Sequence, residues 1–201
     1  DLRDVEVVHL ATFSPAPYTR PEFAGHFRHN AFFIGHNVRD AVQEGRADYI
    51  PIHLSDIEGL FESGAMPLDV ALLQCTPPDA HGYMSLGPSV DISLTAARCA
   101  RHLIVEINDR CPRTFGNSYI HVSKADALVE ASHPLPEYPR PTISDEQRAI
   151  ARHVANLIPD GATLQMGIGG IPDAVLGFLK DHRDLGVHSE MFSDGVMELI
   201  Q

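Results

Sequence analysis

Short apolar runs alternate with segments of helical periodicity along the first half of the chain. Helix candidates, with Asn37 and Ser55 as predicted N-caps, lie at residues 37–44, 55–62 and 93–100. Short, mainly aliphatic strand candidates lie at residues 5–10, 49–53, 70–74 and 103–107. Such strands are typical of parallel sheets that are buried on both faces. The alternation predicts an α/β domain whose ligands bind beyond the carboxyl ends of its strands.

A proline-rich stretch at residues 134–141 interrupts this pattern. Four of its eight residues are proline, which excludes a helix or a central strand and predicts a stiff, extended linker. Helical periodicity resumes after Ser144, which forms a capping-box pattern with Gln147. We therefore predict a first domain at residues 1–133, a linker at 134–141, and the beginning of a second, truncated α/β domain at 142–201.

Composition and charge narrow the classes of partner. The 201 residues carry a formal net charge of -12, which argues against nucleic acid or an anionic membrane as the main partner. No apolar run reaches the length that a transmembrane helix needs. The sequence contains three cysteines and no CxxC pair: Cys75, Cys99 and Cys111. An odd number of unpaired cysteines predicts a protein of the reducing cytoplasm and not one with a disulfide framework.

The residues that point to chemistry concentrate near the end of the sequence. The glycine-rich segment GIGGIP at residues 167–172 follows a short strand candidate and opens a helix, and one strand later the segment GVHSEMFSDG carries Glu190. Consecutive parallel strands end at the same edge of a sheet, so the loop and the carboxylate should face each other. Backbone N–H groups of Gly169 and Gly170 opposite a carboxylate suit acyl transfer through an enzyme-bound anhydride.

Two other interpretations of this segment stay open at this point. Gly167 and Gly169 match the start of a GxGxxG fingerprint, with Glu190 at the position of a ribose-binding carboxylate. Pro172 occupies the third glycine position, which disfavours a dinucleotide site because proline supplies neither close packing nor an N–H group. Alternatively, Glu190 is a structural residue that caps a helix or pairs with a surface arginine.

A family resemblance links both halves of the chain. The second half contains GATLQMGIGGIPDAVL and LGVHSEMFSDGVMELI, and the first contains PEFAGHFRHNAFFIG, EGRADYIPIHLSDI, DVALLQCTPPDAHGYMSLGPSVD and NDRCPRTFGNSYIHVS. In these segments the chain closely resembles the acetyl-CoA hydrolase/transferase family, which includes the 4-hydroxybutyrate and butyrate:acetate CoA-transferases. The resemblance covers essentially all residues. It implies an open three-layer α/β/α fold with a mostly parallel sheet.

The resemblance also implies a mechanism and its residues. Glu190 occupies the position of the family's nucleophilic glutamate in H-[ST]-E-[ML], which implies acyl-CoA:carboxylate CoA-transfer through a glutamyl-CoA thioester. Gly167, Gly169 and Gly170 are expected to bind the thioester oxyanion, and Gln165 a substrate carbonyl or carboxylate. Acyl-CoA and a small carboxylic acid are the expected partners, without a metal, ATP or redox cofactor. We expect a cytoplasmic homo-oligomer and poor activity of this fragment alone.

Three other functions remain as alternatives. An acyl-CoA hydrolase would use the same glutamate, with water resolving the intermediate. A dinucleotide-dependent oxidoreductase would use the glycine loop, although Pro172 disfavours it. A non-catalytic ligand-binding module on the same fold would need no nucleophile at Glu190.

Histidines and one cysteine of the first domain suggest further sites. The segment HFRHN is predicted to be a loop that lines an interdomain cleft, with Arg28 and His29 available to substrate. A metal site is not expected there, because no third ligand follows at typical spacing. Cys75 is expected to be buried and inert, since no oxyanion element accompanies it and His81.

Overall fold

Two compact units make up the chain, Asp1–Pro136 and Glu137–Gln201. The structure is a computed structural model that describes residues 2–137, 139–140, 142–167 and 169–200. Tyr138 and Pro141 of the predicted linker, and Ile168 of the glycine loop, lie outside the described residues. The described residues of 134–141 belong to no helix or strand.

The first unit is a mixed α/β structure. Its strands are β1 (Val5–His9), β2 (Phe27–Ala31), β3 (Ala47–Tyr49), β4 (Val70–Cys75), β5 (Tyr83–Ser85), β6 (His102–Asn108), β7 (Tyr119–His121) and β8 (Ala127–Ala131). Its α-helices are α1 (Arg39–Gln43), α2 (Leu54–Glu62) and α3 (Ser93–Cys99). Strands β1–β2–β3 and β4–β6–β8 form two parallel sheets, and β5 pairs with β7 in antiparallel orientation.

Two apolar clusters hold these layers together. One lies between the β4–β6–β8 sheet, α3 and the β5–β7 pair, and contains the buried residues Cys75, Met84 and Val105. The other contains Phe32 and Phe61, whose rings lie 5.9 Å apart between centroids in an edge-on arrangement. Helices covering parallel strands from the side bury apolar area that stabilises both elements.

The second unit carries the segment with the candidate chemistry. Its elements are α4 (Asp145–Ala155), β9 (Thr163–Leu164), α5 (Gly170–Gly177), β10 (Gly186–Val187) and α6 (Asp194–Ile200). Strands β9 and β10 are parallel neighbours. The core of the unit consists of Ala155, Met166, Leu176, Leu179 and Val196.

The predicted α/β fold with mostly parallel strands is confirmed. The capping box is also present, because Gln147 N–H donates to Ser144 Oγ over 3.2 Å and Ser144 N–H donates to Gln147 Oε1 over 2.9 Å. The predicted caps Asn37 and Ser55 are wrong. Helices α1 and α2 follow Val38 and His53, which provide no side-chain cap. The Asn37 amide instead donates to the carbonyls of Thr12 and Ser14, since its loop lies beside that segment.

Candidate active site

Beyond the ends of β9 and β10, the glycine loop and the segment that carries Glu190 continue side by side. Gly186 pairs with Thr163 and Val187 with Leu164, and the His188 N–H donates to the Leu164 carbonyl over 2.9 Å. Neighbouring strands lie about 4.8 Å apart. Continuing this register places Glu190 level with Gly167, the first residue of the glycine loop.

Glu190 follows the carboxyl end of β10 with its side chain exposed. It forms no hydrogen bond or ion pair with any residue in the described ranges. A glutamate that caps a helix or pairs with an arginine would have such a partner. The described residues therefore give no support to a purely structural role of Glu190. An unpaired carboxylate at a strand end is free to approach a ligand at this edge.

Backbone geometry of the glycine loop brings the start of α5 to the same edge. Gly169, which precedes the helix, has φ of +122°, in the region that favours glycine because it has no Cβ. Gly170 begins the helix so close to Gln147 that a Cβ there would lie 2.9 Å from Gln147 Oε1. The loop thus passes close to the side chain of Gln147 at the start of α4, and a larger residue at position 170 would have to displace that side chain.

Unused backbone donors point out from the start of α5. The N–H groups of Gly169, Gly170 and Ile171 donate to no acceptor among the described residues. Pro172, in the first turn, has no N–H group. Free donors and the positive end of the helix dipole favour an oxyanion at this position. The start of α5 can therefore stabilise negative charge on a bound group.

Gln165 lies between β9 and the glycine loop. Its side chain is exposed and forms no hydrogen bond within the part of the chain that the structure describes. Its amide therefore remains available to a ligand. By the same register, Gln165 lies level with His188 of the neighbouring segment.

Arg28, predicted to bind substrate, is already paired within the first unit. Its Nε donates to Asp48 Oδ2 over 2.5 Å and its Nη2 donates to Asp48 Oδ1 over 2.7 Å. This pair raises the pKa of the guanidinium and lowers the pKa of the Asp48 carboxyl, in both cases mainly through the hydrogen bond. Arg28 thus joins neighbouring strands β2 and β3, and a substrate anion would have to displace Asp48.

His29, the other predicted substrate residue, is buried with an exposed fraction of 1%. The prediction that the segment HFRHN forms a loop is wrong. Phe27–Ala31 instead forms the central strand of the β1–β2–β3 sheet. His29 Nδ1 lies 2.9 Å from the Val7 carbonyl, and the ring stacks on His9 with centroids 4.2 Å apart. These contacts hold the ring inside the first unit, and a role of His29 in substrate binding stays a prediction.

Cys75 is fully buried, and burial together with the neighbouring Cys111 raises the pKa of its thiol to about 12. A thiol with that pKa stays protonated near neutral pH and is a poor nucleophile. The loop after β4 is held instead by Asp79, which accepts from Arg113 Nη2 over 2.7 Å. The prediction that Cys75 is buried is confirmed.

The described residues contain no cluster of three or more histidine, cysteine, aspartate or glutamate side chains arranged for a metal ion. None of the helices in the described ranges has the length and apolar character needed to cross a bilayer.

Sequence reasoning missed the contacts of Ser189. Its hydroxyl donates to the Met166 carbonyl and accepts from the Met166 N–H, both over 3.2 Å, and it also accepts from the Met191 N–H over 3.3 Å. Alternation along the strand predicts only that Ser189 and Glu190 point to opposite sides. No pattern in the sequence identifies Met166 as the partner, because the two residues are 23 positions apart.

The family of the chain follows from three comparisons. The model of the acetyl-CoA hydrolase/transferase N-terminal domain matches residues 1–138. The chain is 51% identical to a 4-hydroxybutyrate coenzyme A transferase of Clostridium kluyveri over 98% of this chain and 46% of that protein. It is 48% identical to a succinyl-CoA:acetate/propanoyl-CoA:succinate CoA transferase of Fasciola hepatica over 100% of this chain and 42% of that protein.

Solved structures and more distant relatives agree with this result. RipA from Yersinia pestis superposes with a TM-score of 0.89 at 34% identity, covering 98% of this chain and 48% of RipA. An acetyl-CoA hydrolase of Yarrowia lipolytica is only 25% identical over 84% of the chain. The chain spans about half the length of the curated relatives it matches. The chain belongs to the acetyl-CoA hydrolase/transferase family.

Proposed function

We propose that the protein carrying this chain transfers coenzyme A from an acyl-CoA to a small carboxylic acid, with Glu190 as the nucleophile. The observation that carries the proposal is the exposed Glu190 carboxylate, which has no partner among the described residues. Its segment runs beside the glycine loop, whose N–H donors are unused. The 4-hydroxybutyrate coenzyme A transferase of Clostridium kluyveri is 51% identical to this chain, about twice the 25% identity of the acetyl-CoA hydrolase of Yarrowia lipolytica. This favours a carboxylate over water as the acceptor.

The reaction begins with attack of a Glu190 carboxylate oxygen on the thioester carbon of acyl-CoA. The tetrahedral intermediate collapses by breaking the carbon–sulfur bond, which gives an acyl-glutamyl anhydride and CoA thiolate. The thiolate then attacks the glutamyl carbonyl and releases the first carboxylic acid as its carboxylate. The product is a glutamyl-CoA thioester, and a second carboxylate reverses both steps to form the new acyl-CoA and regenerate Glu190.

The start of α5 contributes by binding the oxyanion of each tetrahedral intermediate. The free N–H groups of Gly169 and Gly170 are the proposed donors, with Gly167 leaving room for the thioester beside the loop. One such donor is worth about 3 kcal/mol of transition-state stabilisation. The exposed Gln165 amide is proposed to bind the substrate carbonyl or carboxylate.

The cellular setting and the assembly belong to the same proposal. The buried thiols of Cys75 and Cys111 are free, which supports a reducing compartment such as the cytoplasm. Acyl-CoA and a carboxylic acid would be the small-molecule partners. The homo-oligomer and the predicted domain boundaries at 133/134 and 141/142 stay predictions.

Covalent trapping tests the role of Glu190. The complete protein is incubated with acyl-CoA and then treated with borohydride, which reduces a glutamyl thioester to an alcohol, and peptides spanning residues 186–195 are analysed by mass spectrometry. We expect modification at Glu190 in the wild type and none in Glu190→Gln, whose activity should fall by at least about a thousandfold. Glu62→Gln is the matched control, since Glu62 is an exposed glutamate at the end of α2. An unmodified peptide during turnover would exclude the proposed intermediate.

A further inference from the structure

Strands β9 and β10 are too short to fix the position of Glu190 by backbone pairing alone. Each contains two residues, and the last backbone hydrogen bond between them runs from the His188 N–H to the Leu164 carbonyl. Glu190 lies two residues beyond that bond, and its own side chain has no partner among the described residues. Something other than the strand ladder must hold its backbone.

The Ser189 hydroxyl provides hydrogen bonds beyond the point where backbone pairing between the strands ends. It donates its one hydrogen to the Met166 carbonyl and accepts from the Met166 N–H, both over 3.2 Å. It also accepts from the Met191 N–H over 3.3 Å, so its donor and both acceptor positions are used. Residues on both sides of Glu190 are therefore tied to one oxygen atom.

Met166 is a firm anchor for this contact because its own side chain belongs to the core. It is 8% exposed and belongs to the cluster of Ala155, Leu176, Leu179 and Val196. A buried side chain in a close-packed core has little freedom to move. The rigid path runs from the core through Met166 to Ser189, and from there to the backbone of Glu190.

We infer that Ser189 is a positioning residue for the proposed nucleophile: its hydroxyl bonds to Met166 and Met191 hold Glu190 level with the glycine loop. The inference rests on the proposed function of Glu190. Ser189 need not touch substrate, because its three hydrogen-bond positions are occupied by the backbone. It acts by keeping the carboxylate within the geometry that attack on a thioester requires.

The test compares Ser189→Ala with Ser189→Thr in the complete protein. Threonine keeps the hydroxyl, whereas alanine removes all three bonds. The measured quantities are the single-turnover rate of adduct formation at saturating acyl-CoA and the acyl-CoA concentration that gives half of that rate. Because a misplacement of about 1 Å costs about 100-fold, we expect the alanine variant to form the adduct at least about tenfold more slowly. The half-saturating concentration should change less than about twofold, and threonine should restore most of the rate.

Ser193→Ala is the matched control, four residues along the same segment. The Ser193 hydroxyl has no hydrogen-bond partner in the described part of the chain, and we expect an unchanged rate. A wild-type rate in Ser189→Ala would overturn the inference, as would a folded threonine variant that stays as slow as alanine. Should Ser189→Ala fail to fold, Ser189→Cys replaces it, because a thiol keeps a similar size and bonds weakly. An unchanged rate in that variant would equally overturn the inference.

The two proposals fail in distinguishable ways. Normal turnover by Glu190→Gln, without an adduct in the wild type, removes the nucleophile and with it the proposed function. A wild-type adduct that forms equally fast in Ser189→Ala removes only the positioning role.

Discussion

The side chain of Gln147 lies directly against Gly170, so the first turn of α4 touches the first turn of α5. A Cβ at position 170 would lie 2.9 Å from Gln147 Oε1 and 3.0 Å from its Nε2. The same Oε1 accepts the N–H of Ser144 over 2.9 Å. One glutamine therefore caps one helix and sets the distance to the loop that opens the next.

Substitution of Gly170 should destabilise the second unit through this contact. In Gly170→Ala the new methyl group displaces Gln147 and breaks the capping box, which costs about 1 kcal/mol in the free energy of unfolding. Gly177→Ala at the other end of α5 is the control, because no atom lies within 4 Å of a Cβ there and alanine favours helices. Urea denaturation followed by circular dichroism measures both, and equal midpoints for the two variants would contradict the role of Gln147.

Loss of the Ser144 hydroxyl should have a similar cost. Ser144→Ala removes the acceptor of the Gln147 N–H, and the free energy of unfolding should fall by about 1 kcal/mol. Ser55→Ala removes a serine that caps no helix and should change stability by less than about 0.5 kcal/mol. The same denaturation experiment compares them. A loss for Ser55→Ala as large as for Ser144→Ala would argue against a specific capping effect.

Acidification should destabilise the first unit through its stacked histidines. Burial, together with the neighbouring His29, lowers the pKa of His9 to about 4, and burial lowers the pKa of His29 as well. The unfolded chain binds these protons at about pH 6.5, the folded chain only at lower pH, so stability is lost as the pH falls below about 6.5. The ring of Tyr18 also packs here, 5.7 Å from His29 between centroids.

Replacing His9 isolates this effect. His9→Phe keeps an aromatic ring on His29 but removes one titration, so the denaturation midpoint should vary less between about pH 7 and about pH 5 than in the wild type. An identical pH dependence in His9→Phe and the wild type would show that His9 titrates alike in the folded and unfolded chain.

Substitution at Gln165 should affect activity without affecting stability. The side chain is exposed and unbonded, so Gln165→Ala should change the free energy of unfolding by less than about 0.5 kcal/mol. If its amide binds substrate, kcat/KM should fall about tenfold, the effect of one lost hydrogen bond. Gln43→Ala, at an exposed position of α1, serves as the control. Unchanged kcat/KM in Gln165→Ala would remove this residue from the site.

The first unit illustrates why local patterns can fail. Residues 70–74 and 103–107 are mainly aliphatic, and the two segments lie within the observed strands β4 and β6, respectively. The sequence of strand β2 predicts a loop because Arg28 and Asn30 make it polar, whereas the structure has a strand there. The strand forms because β1 and β3 pair with it on both sides, and its polar face stays accessible for the Arg28–Asp48 pair.

Sequence alone determined the features that depend on neighbouring residues. These are the capping box at Ser144, the main apolar strands, and the order of glycine loop and Glu190 along the chain. The tertiary structure decided the burial of His29, the contact of Gln147 with Gly170, and the bonds from Ser189 to Met166. Each of these joins residues that are about twenty positions apart, and the strand register and the packing of helices decide which of them meet.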